Sequence, residues 1–211
     1  MYVIVVTSRK GGAGKTTVAA HLGVEIERAG DGPVALVDLD EQGSLAGWWN
    51  ARKEELPRFA QQVKIANLSE SLEALKGHGI KIVLIDTPPG MGRETQVALE
   101  KILPYADLAL IPTRPSPLDL RAIGRTVELV EGADKRMVFV INGAANRARI
   151  TGDAAVALSQ HGTVAPVTLY QRTDFASSMI DGRTAQEIDP ESKSATEIAD
   201  LWKYVSKHLR K

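Results

Sequence analysis

The stretch Lys10-Gly11-Gly12-Ala13-Gly14-Lys15-Thr16-Thr17 constrains this chain more than any other part of it. It follows an apolar run over residues 2–6 and opens a segment in which Val18, Ala19, Leu22, Ile26 and Ala29 recur at helical spacing. A strand, a glycine-rich loop and a helix in that order make a cradle for phosphate, because loop N–H groups converge on the anion and the helix adds its positive dipole end. Gly11, Gly12 and Gly14 permit the turn, Lys15 meets the terminal phosphate charge, and Thr16 offers a hydroxyl to Mg²⁺. The usual phosphate-loop pattern is glycine, four residues, then Gly-Lys-Ser/Thr. Here Arg9 stands at the first glycine position and Lys10 adds a second cation. Gly30 is expected to stop the first helix, and Gly32-Pro33 to turn the chain.

Two more strands end in acids. Residues 34–37 read as a short buried strand leading into Asp38-Leu39-Asp40-Glu41-Gln42-Gly43-Ser44, and residues 80–86 form a nearly continuous apolar strand ending at Asp86. Ligands of open α/β sheets bind at the carboxyl edge of the strands, so all three acids are placed where the glycine loop is. An apolar strand closed by aspartate also suits a carboxylate that holds a magnesium-bound water.

The loop has the form KGGxGKT[ST] and resembles that of the ParA/MinD superfamily of partition and positioning ATPases. Asp38 to Ser44 is similar to the DxDPQ segment of that family, with Glu41 in place of its proline, and Asp86-Thr87-Pro88-Pro89-Gly90 is similar to its second switch. Pro112-Thr113-Arg114-Pro115-Ser116-Pro117-Leu118-Asp119 resembles the proline-rich stretch of the small, ParF-like partition ATPases. The segments 170–175, 181–183 and 189–194 extend the likeness over nearly the whole chain. The resemblance implies a P-loop α/β fold: a doubly wound, mainly parallel sheet of about seven strands with helices on both faces, as one domain over 1–211. It implies ATP and Mg²⁺ as ligands. Lys10 would reach across a nucleotide-sandwich homodimer to the partner's phosphates, Asp38 support the Mg²⁺ shell with Thr16 and Asp86, and Asp40 orient the attacking water. Gly11 to Thr17 would cradle the phosphates, and Asn142 read the adenine edge, for which an amide has both a donor and an acceptor. Glu41 is expected to loosen the first switch.

Composition sets limits. The 211 residues with 44% apolar content suffice for a substantial core, and 26 basic residues balance 26 acidic ones, so any DNA surface must come from local clustering. With no cysteine there is no disulfide, thiolate metal site or iron–sulfur cluster, which excludes the nitrogenase-iron-protein branch of the superfamily. Met1 leads into a strand without a leader pattern, and no apolar run approaches the ~20 residues of a membrane span. A cytoplasmic, nucleoid-associated protein is expected.

The remaining segments predict helices over 45–56 and 69–76, the latter capped by Ser69, and a short strand over 63–66. A strand over 107–111 is followed by a helix begun by Ser116-Pro117 and running through Leu120, Ile123, Val127 and Val130. Strands over 136–141 and 164–169 flank a helix beginning near Thr151. The last helix carries Ile198, Leu201, Trp202, Val205 and Leu209 on an apolar side. Trp48 and Trp49 read as packing residues and His78 as a turn residue. Arg114, Arg121 and Arg125 face either a partner subunit or water. By the resemblance, nonspecific DNA would be bound by basic residues near the C-terminus, here Arg172, Lys193, Lys203 and Lys207. Stimulation would come from a centromere-binding or adaptor protein of ParB/ParG type. The cargo is a plasmid, a chromosome or a protein assembly. A MinD-like membrane tail is the rival reading, disfavoured because the last helix reads as part of the domain; a metabolic P-loop enzyme is a second rival without a sequence feature behind it.

Overall fold

A computed structural model describes residues 1–90 and 92–209. Seven strands, β1 (Tyr2–Val6), β2 (Val34–Asp38), β3 (Arg58–Phe59), β4 (Ile82–Asp86), β5 (Leu108–Thr113), β6 (Met137–Ala144) and β7 (Thr163–Tyr170), form one sheet in the order β3-β2-β4-β1-β5-β6-β7. Every pairing is parallel, so all seven carboxyl ends share one edge. The helices are α1 (Lys15–Arg28), α2 (Ser44–Asn50), α3 (Leu68–Gly77), α4 (Arg93–Ile102), α5 (Pro117–Ala122), α6 (Gly124–Gly132), α7 (Arg149–Ser159), α8 (Thr173–Ser177), α9 (Ala185–Ile188) and α10 (Lys193–Leu209).

The alternation of side chains along each strand explains why the strands are apolar throughout. Ile4, Val6, Leu36, Leu84 and Val140 point into a core shared with α1, α2 and α10, while Val3, Val5, Val37, Val83 and Phe139 point into a second core with α3, α4, α6 and α7. Helix α1 ends as the sequence predicts. Gly30 is left-handed (φ 78), its N–H reaches the Glu27 carbonyl, and the Asp31 N–H reaches that of Ile26, the paired bonds of a Schellman stop.

Four local expectations are corrected. Residues 63–66 do not form a strand: Ile65–Asn67 is a 3₁₀ turn, and the edge strand is the two-residue β3. Helix α3 starts one residue before Ser69, and the Asn67 side chain, accepting from the Lys64 N–H, orders its approach. Helix α2 stops at Asn50 rather than near 56, where Arg52 instead donates to the Leu56 carbonyl. The helix after Ser116 is divided into α5 and α6 at Ile123. Its start is as the sequence predicts, with Ser116 Oγ accepting from the Asp119 N–H and Pro117 in the first turn.

The segment 178–187 is bolted onto α1 and α2. Trp48 donates to the Arg183 carbonyl, Trp49 to that of Pro57 while stacking on Phe59, and Arg52 grips the Gly182 carbonyl and both oxygens of Glu187. The tryptophans are packing residues, as expected. His21, fully buried, donates from Nδ1 to the Thr17 carbonyl, and its Nε2 accepts from the Ala185 N–H at 3.2 Å. Both bonds require the neutral ring, and burial, opposed by the Thr17 carbonyl and Glu187, pulls its pKa from 6.5 down to about 4. The unfolded chain therefore binds the extra proton between those values, and stability must rise with pH across that window and fall as pH drops through it. Urea unfolding from pH 4 to 7 should show this rise, roughly 3 kcal/mol in full, and His21→Gln should remove that component of the slope.

Candidate functional site

The carboxyl edge gathers the chemistry. Val6 is in register with Asp86, and Asp38 with Asp86 on its other side, so the glycine loop leaves the sheet beside two strand-end acids. Gly12 and Gly14 take left-handed φ values of 76 and 91, which side-chain-bearing residues rarely adopt. The loop closes directly onto α1, whose N-terminal N–H groups point into a cleft of about 690 Å³ bordered by Gly12, Lys15, Thr16, Asp40, Trp48 and Ile180.

Thr16 Oγ1 donates to Asp86 Oδ2 at 2.6 Å, and Asp86 is 1% exposed. Burial pushes the Asp86 carboxyl up to about 7, against the pull of the Thr16 hydroxyl and Lys15. Lys15 is also buried, and that burial lowers its pKa while Asp86 and Asp40 hold the charge in place. Asp86 Oδ1 is buried with no hydrogen-bond partner. An orphaned carboxylate oxygen beside a threonine hydroxyl suits a water of a hydrated Mg²⁺, since Mg²⁺ keeps several waters and takes few protein ligands. No cage of three or more acids or histidines exists among the described residues, so Thr16, Asp86 and the nucleotide phosphates fit as its anchors.

Asp38 has a different position. Its Oδ1 accepts from the Asp40 N–H at 3.0 Å and its Oδ2 from the Ala46 N–H at 2.9 Å. Burial raises its pKa and those two N–H bonds oppose the shift. Asp38 thus supports the site by setting the path of the Asp40 segment. Asp40 borders the cleft, accepting from the Gln42 N–H with Oδ1 while its carbonyl accepts from Gly43. That turn is held by Asp40 itself, which supplies the constraint the sequence lacks where Glu41 stands. The second switch is tied to the phosphate loop by the Gly90 N–H on the Arg9 carbonyl at 3.1 Å.

Asn142 lies under the loop. Its Nδ2 donates to the Ala13 carbonyl at 2.7 Å, and a Cβ added to Gly14 would sit 2.1 Å from that nitrogen. It also lines a smaller hollow of about 160 Å³ with Gly14, Tyr170, Gln171 and Phe175, next to the phosphate cleft. Arg114 borders both spaces, a position the sequence did not single out for nucleotide; the proline-rich stretch that contains it was the available signal. Met179 and Ile180 border the cleft from a distant segment, with no sequence signal at all. Lys10 is half-buried on the loop, with no ion pair among the described residues.

The four expected DNA contacts do not form one patch. Arg172 is engaged by Glu197 at 2.5 Å, Lys193 is exposed at the start of α10, and Lys203 and Lys207 are exposed on its second half. Arg210 and Lys211 lie outside the described residues.

The Asp86 carboxyl yields a prediction with a fixed sign. Its raised pKa means the folded chain holds the extra proton, so without Mg²⁺ its contribution to stability falls as pH rises from 3.8 toward 7. Asp86→Asn should make the metal-free chain about 1–3 kcal/mol more stable at pH 8 in urea unfolding, while a Mg²⁺ titration monitored by calorimetry in the presence of nucleotide should show the metal affinity abolished.

Residues 4–184 match the family described as the CobQ/CobB/MinD/ParA nucleotide binding domain. The maintenance of carboxysome distribution protein A of Gloeobacter kilaueensis is 39% identical over 142 residues, covering 65% of this chain and 62% of that protein. Its namesake from Halothiobacillus neapolitanus is 28% identical over 211 aligned residues, 93% of this chain and 92% of that one. The protein ParA of Rhizobium radiobacter is 33% identical over 147 residues, 67% and 63% of the two chains. This chain therefore spans a little over three fifths of the Gloeobacter and Rhizobium proteins. Among solved structures, a chain of the MinC:MinD complex of Aquifex aeolicus superposes with a TM-score of 0.78 at 21% identity, covering 98% of this chain and 96% of that one. Apo McdA of Cyanothece gives 0.77 at 17%, covering 99% of each chain. These two share the fold. Because the family match takes in the glycine loop, both switch segments and six of the seven strands entire, the chain belongs to the CobQ/CobB/MinD/ParA nucleotide-binding family.

Proposed function

We propose that this chain is a cargo-positioning ATPase: it pairs with a second copy around two MgATP molecules, holds nonspecific DNA in that state, and hydrolyses slowly until a partner stimulates it. The observation that carries this reading is the different placement of two lysines on one loop. Lys15 is buried in the cleft of its own subunit, whereas Lys10 stands half-exposed without an acidic partner among the described residues. Lys10 is thereby free to serve the nucleotide of a facing copy.

Mg²⁺, when bound, neutralises charge on the β- and γ-phosphates. The chain does the rest. Lys15 and the loop N–H groups hold the phosphates, Thr16 and Asp86 fix the metal's place, and Asp40, set by Asp38, orients the attacking water. Asn142 holds the Ala13–Gly14 turn with Nδ2 and keeps Oδ1 for an adenine amino group. Departure of the γ-phosphate removes the interactions that favour the paired state, and the Gly90–Arg9 bond passes that change to the second switch.

The likeness to carboxysome distribution proteins, which for one relative covers 93% of this chain, favours a protein assembly moved over the nucleoid as the cargo. Plasmid or chromosome partition is the second reading, supported by the 33% identity to a ParA protein. In either case the stimulating partner is an adaptor protein that couples the dimer to the cargo. A membrane-bound reading is less well supported: the apolar residues of α10, Ile198, Leu201, Trp202, Val205 and Leu209, are all buried in the domain, and no described helix is long and apolar enough to cross a membrane.

Sedimentation velocity with MgATP or MgADP tests the scheme. The wild type should dimerise with ATP alone. Lys10→Ala should bind ATP yet stay monomeric, Lys15→Ala should lose nucleotide binding by at least about tenfold, and Asp40→Ala should accumulate as an ATP-bound dimer with little turnover. Rapid hydrolysis by Asp40→Ala, or tight ATP binding by Lys15→Ala, would refute the assignments.

A further inference from the structure

The basic residues expected near the C-terminus are poorly placed to act together. Arg172 is neutralised by Glu197, and Lys203 and Lys207 lie about 15–20 Å beyond Lys193 along α10. That end of α10 is where Trp202 donates to Asp31, just ahead of β2, and Arg136, just ahead of β6, donates to the His208 carbonyl. It is the amino edge of the sheet, opposite the nucleotide cleft.

A second cationic set has none of these defects. Arg121, Arg125, Arg147 and Arg149 are all exposed, and none has an ion pair or side-chain hydrogen bond among the described residues. Arg121 and Arg125 stand one helical turn apart across the α5–α6 junction, where Ile123 keeps helical dihedrals (φ −69, ψ −35). Arg147 and Arg149 flank the start of α7, and α5 packs on α7. The two pairs therefore lie on one side of the molecule, on elements that follow the carboxyl ends of β5 and β6. The acids nearby leave all four unpaired. Asp119 is buried and engaged by Ser116, and although Glu128 and Asp153 stand one turn along from Arg125 and Arg149, neither forms an ion pair with them. Helix α7 adds donors, since Ala148 at its N-cap offers no side-chain acceptor to the first-turn N–H groups.

We propose that this four-arginine surface takes the phosphate backbone of duplex DNA. The inference rests on the reading above that the ATP-bound dimer holds nonspecific DNA, and it moves the binding surface from α10 to the α5–α7 side of the molecule. Guanidinium groups and uncapped helix N–H groups both match phosphate oxygens without reading sequence. Two copies facing each other across the nucleotide would present eight such arginines along one edge, so that dimerisation itself raises the affinity. The exposed Leu118 and Ile150 nearby make an acidic amphipathic protein segment the competing occupant.

The test uses the full chain with MgATP and a short duplex of arbitrary sequence. The variant Arg121→Gln/Arg125→Gln/Arg147→Gln/Arg149→Gln should bind at least about tenfold more weakly, with a shallower dependence on salt, by about 0.9 in log–log slope for each phosphate that the variant leaves unneutralised. Lys193→Gln/Lys203→Gln/Lys207→Gln should bind as the wild type does. Basal ATPase and ATP-dependent dimerisation should be unchanged in both. Equal binding by the arginine variant overturns the inference and leaves the DNA reading standing, whereas a wild type that ignores DNA overturns both. A variant that no longer dimerises places the arginines in the subunit interface. Competition by polyglutamate equal to that of DNA, charge for charge, assigns the surface to an acidic protein. Either result overturns the proposal.

Discussion

The bond from Thr16 to Asp86 is the contact on which the rest of this site depends. It joins the first turn of α1 to the end of β4 at 2.6 Å inside a region almost closed to water, and so fixes the helix that carries Lys15 against the strand that ends in Asp86. Desolvation makes it costly to leave such a carboxylate with an oxygen unpaired. The chain nevertheless leaves Asp86 Oδ1 without a partner, a cost that a hydrated cation would resolve. The ligand-free geometry is thereby prepared for metal and phosphate together, in the sense that the electrostatic groups are aimed before the charge arrives.

The switch segments are attached to this centre by a few hydrogen bonds to backbone groups, which suits elements that must change with the nucleotide. Asp38 holds the first switch by two N–H groups and Gly90 holds the second to the phosphate loop by one. Beyond the first switch the attachment becomes heavy. Helix α2 is locked to the segment 178–187 through Trp48 and Arg52, and the same segment is locked to α1 through His21 and Gln186. Packed and hydrogen-bonded groups therefore run without a break from α2 and α1 to the segment that carries Met179 and Ile180 at the rim of the cleft.

Much of this was legible in the chain. Strands buried on both faces need no alternation, so β1, β2, β4 and β5 stand out as apolar runs, and the glycine loop and strand-end acids follow from their positions after them. What misled was local pattern without its tertiary neighbours. Residues 63–66 carry strand-forming residues, but the place beside β2 is taken by Arg58 and Phe59, and Ile65–Asn67 turns into α3 instead. Helix α2 has helix formers beyond Asn50, yet Arg52 is worth more bridging to Glu187 and Gly182 than continuing a helix into Pro57. Arg172 reads as a free cation until Glu197, twenty-five residues away, is folded onto it.

The sequence by itself determined the fold class, the phosphate loop and the strand-end acids, because each of these depends on residues adjacent in the chain and on the common edge of a parallel sheet. Only the tertiary structure decided that Asp38 spends both oxygens on backbone N–H groups, that Asn142 braces the Ala13–Gly14 turn, and that Arg114, Met179 and Ile180 border the cleft. It also decided which cations keep their charge available. Those facts depend on which distant group comes within hydrogen-bond reach, and a bond of about 3 Å between residues far apart in the chain leaves no trace in local spacing.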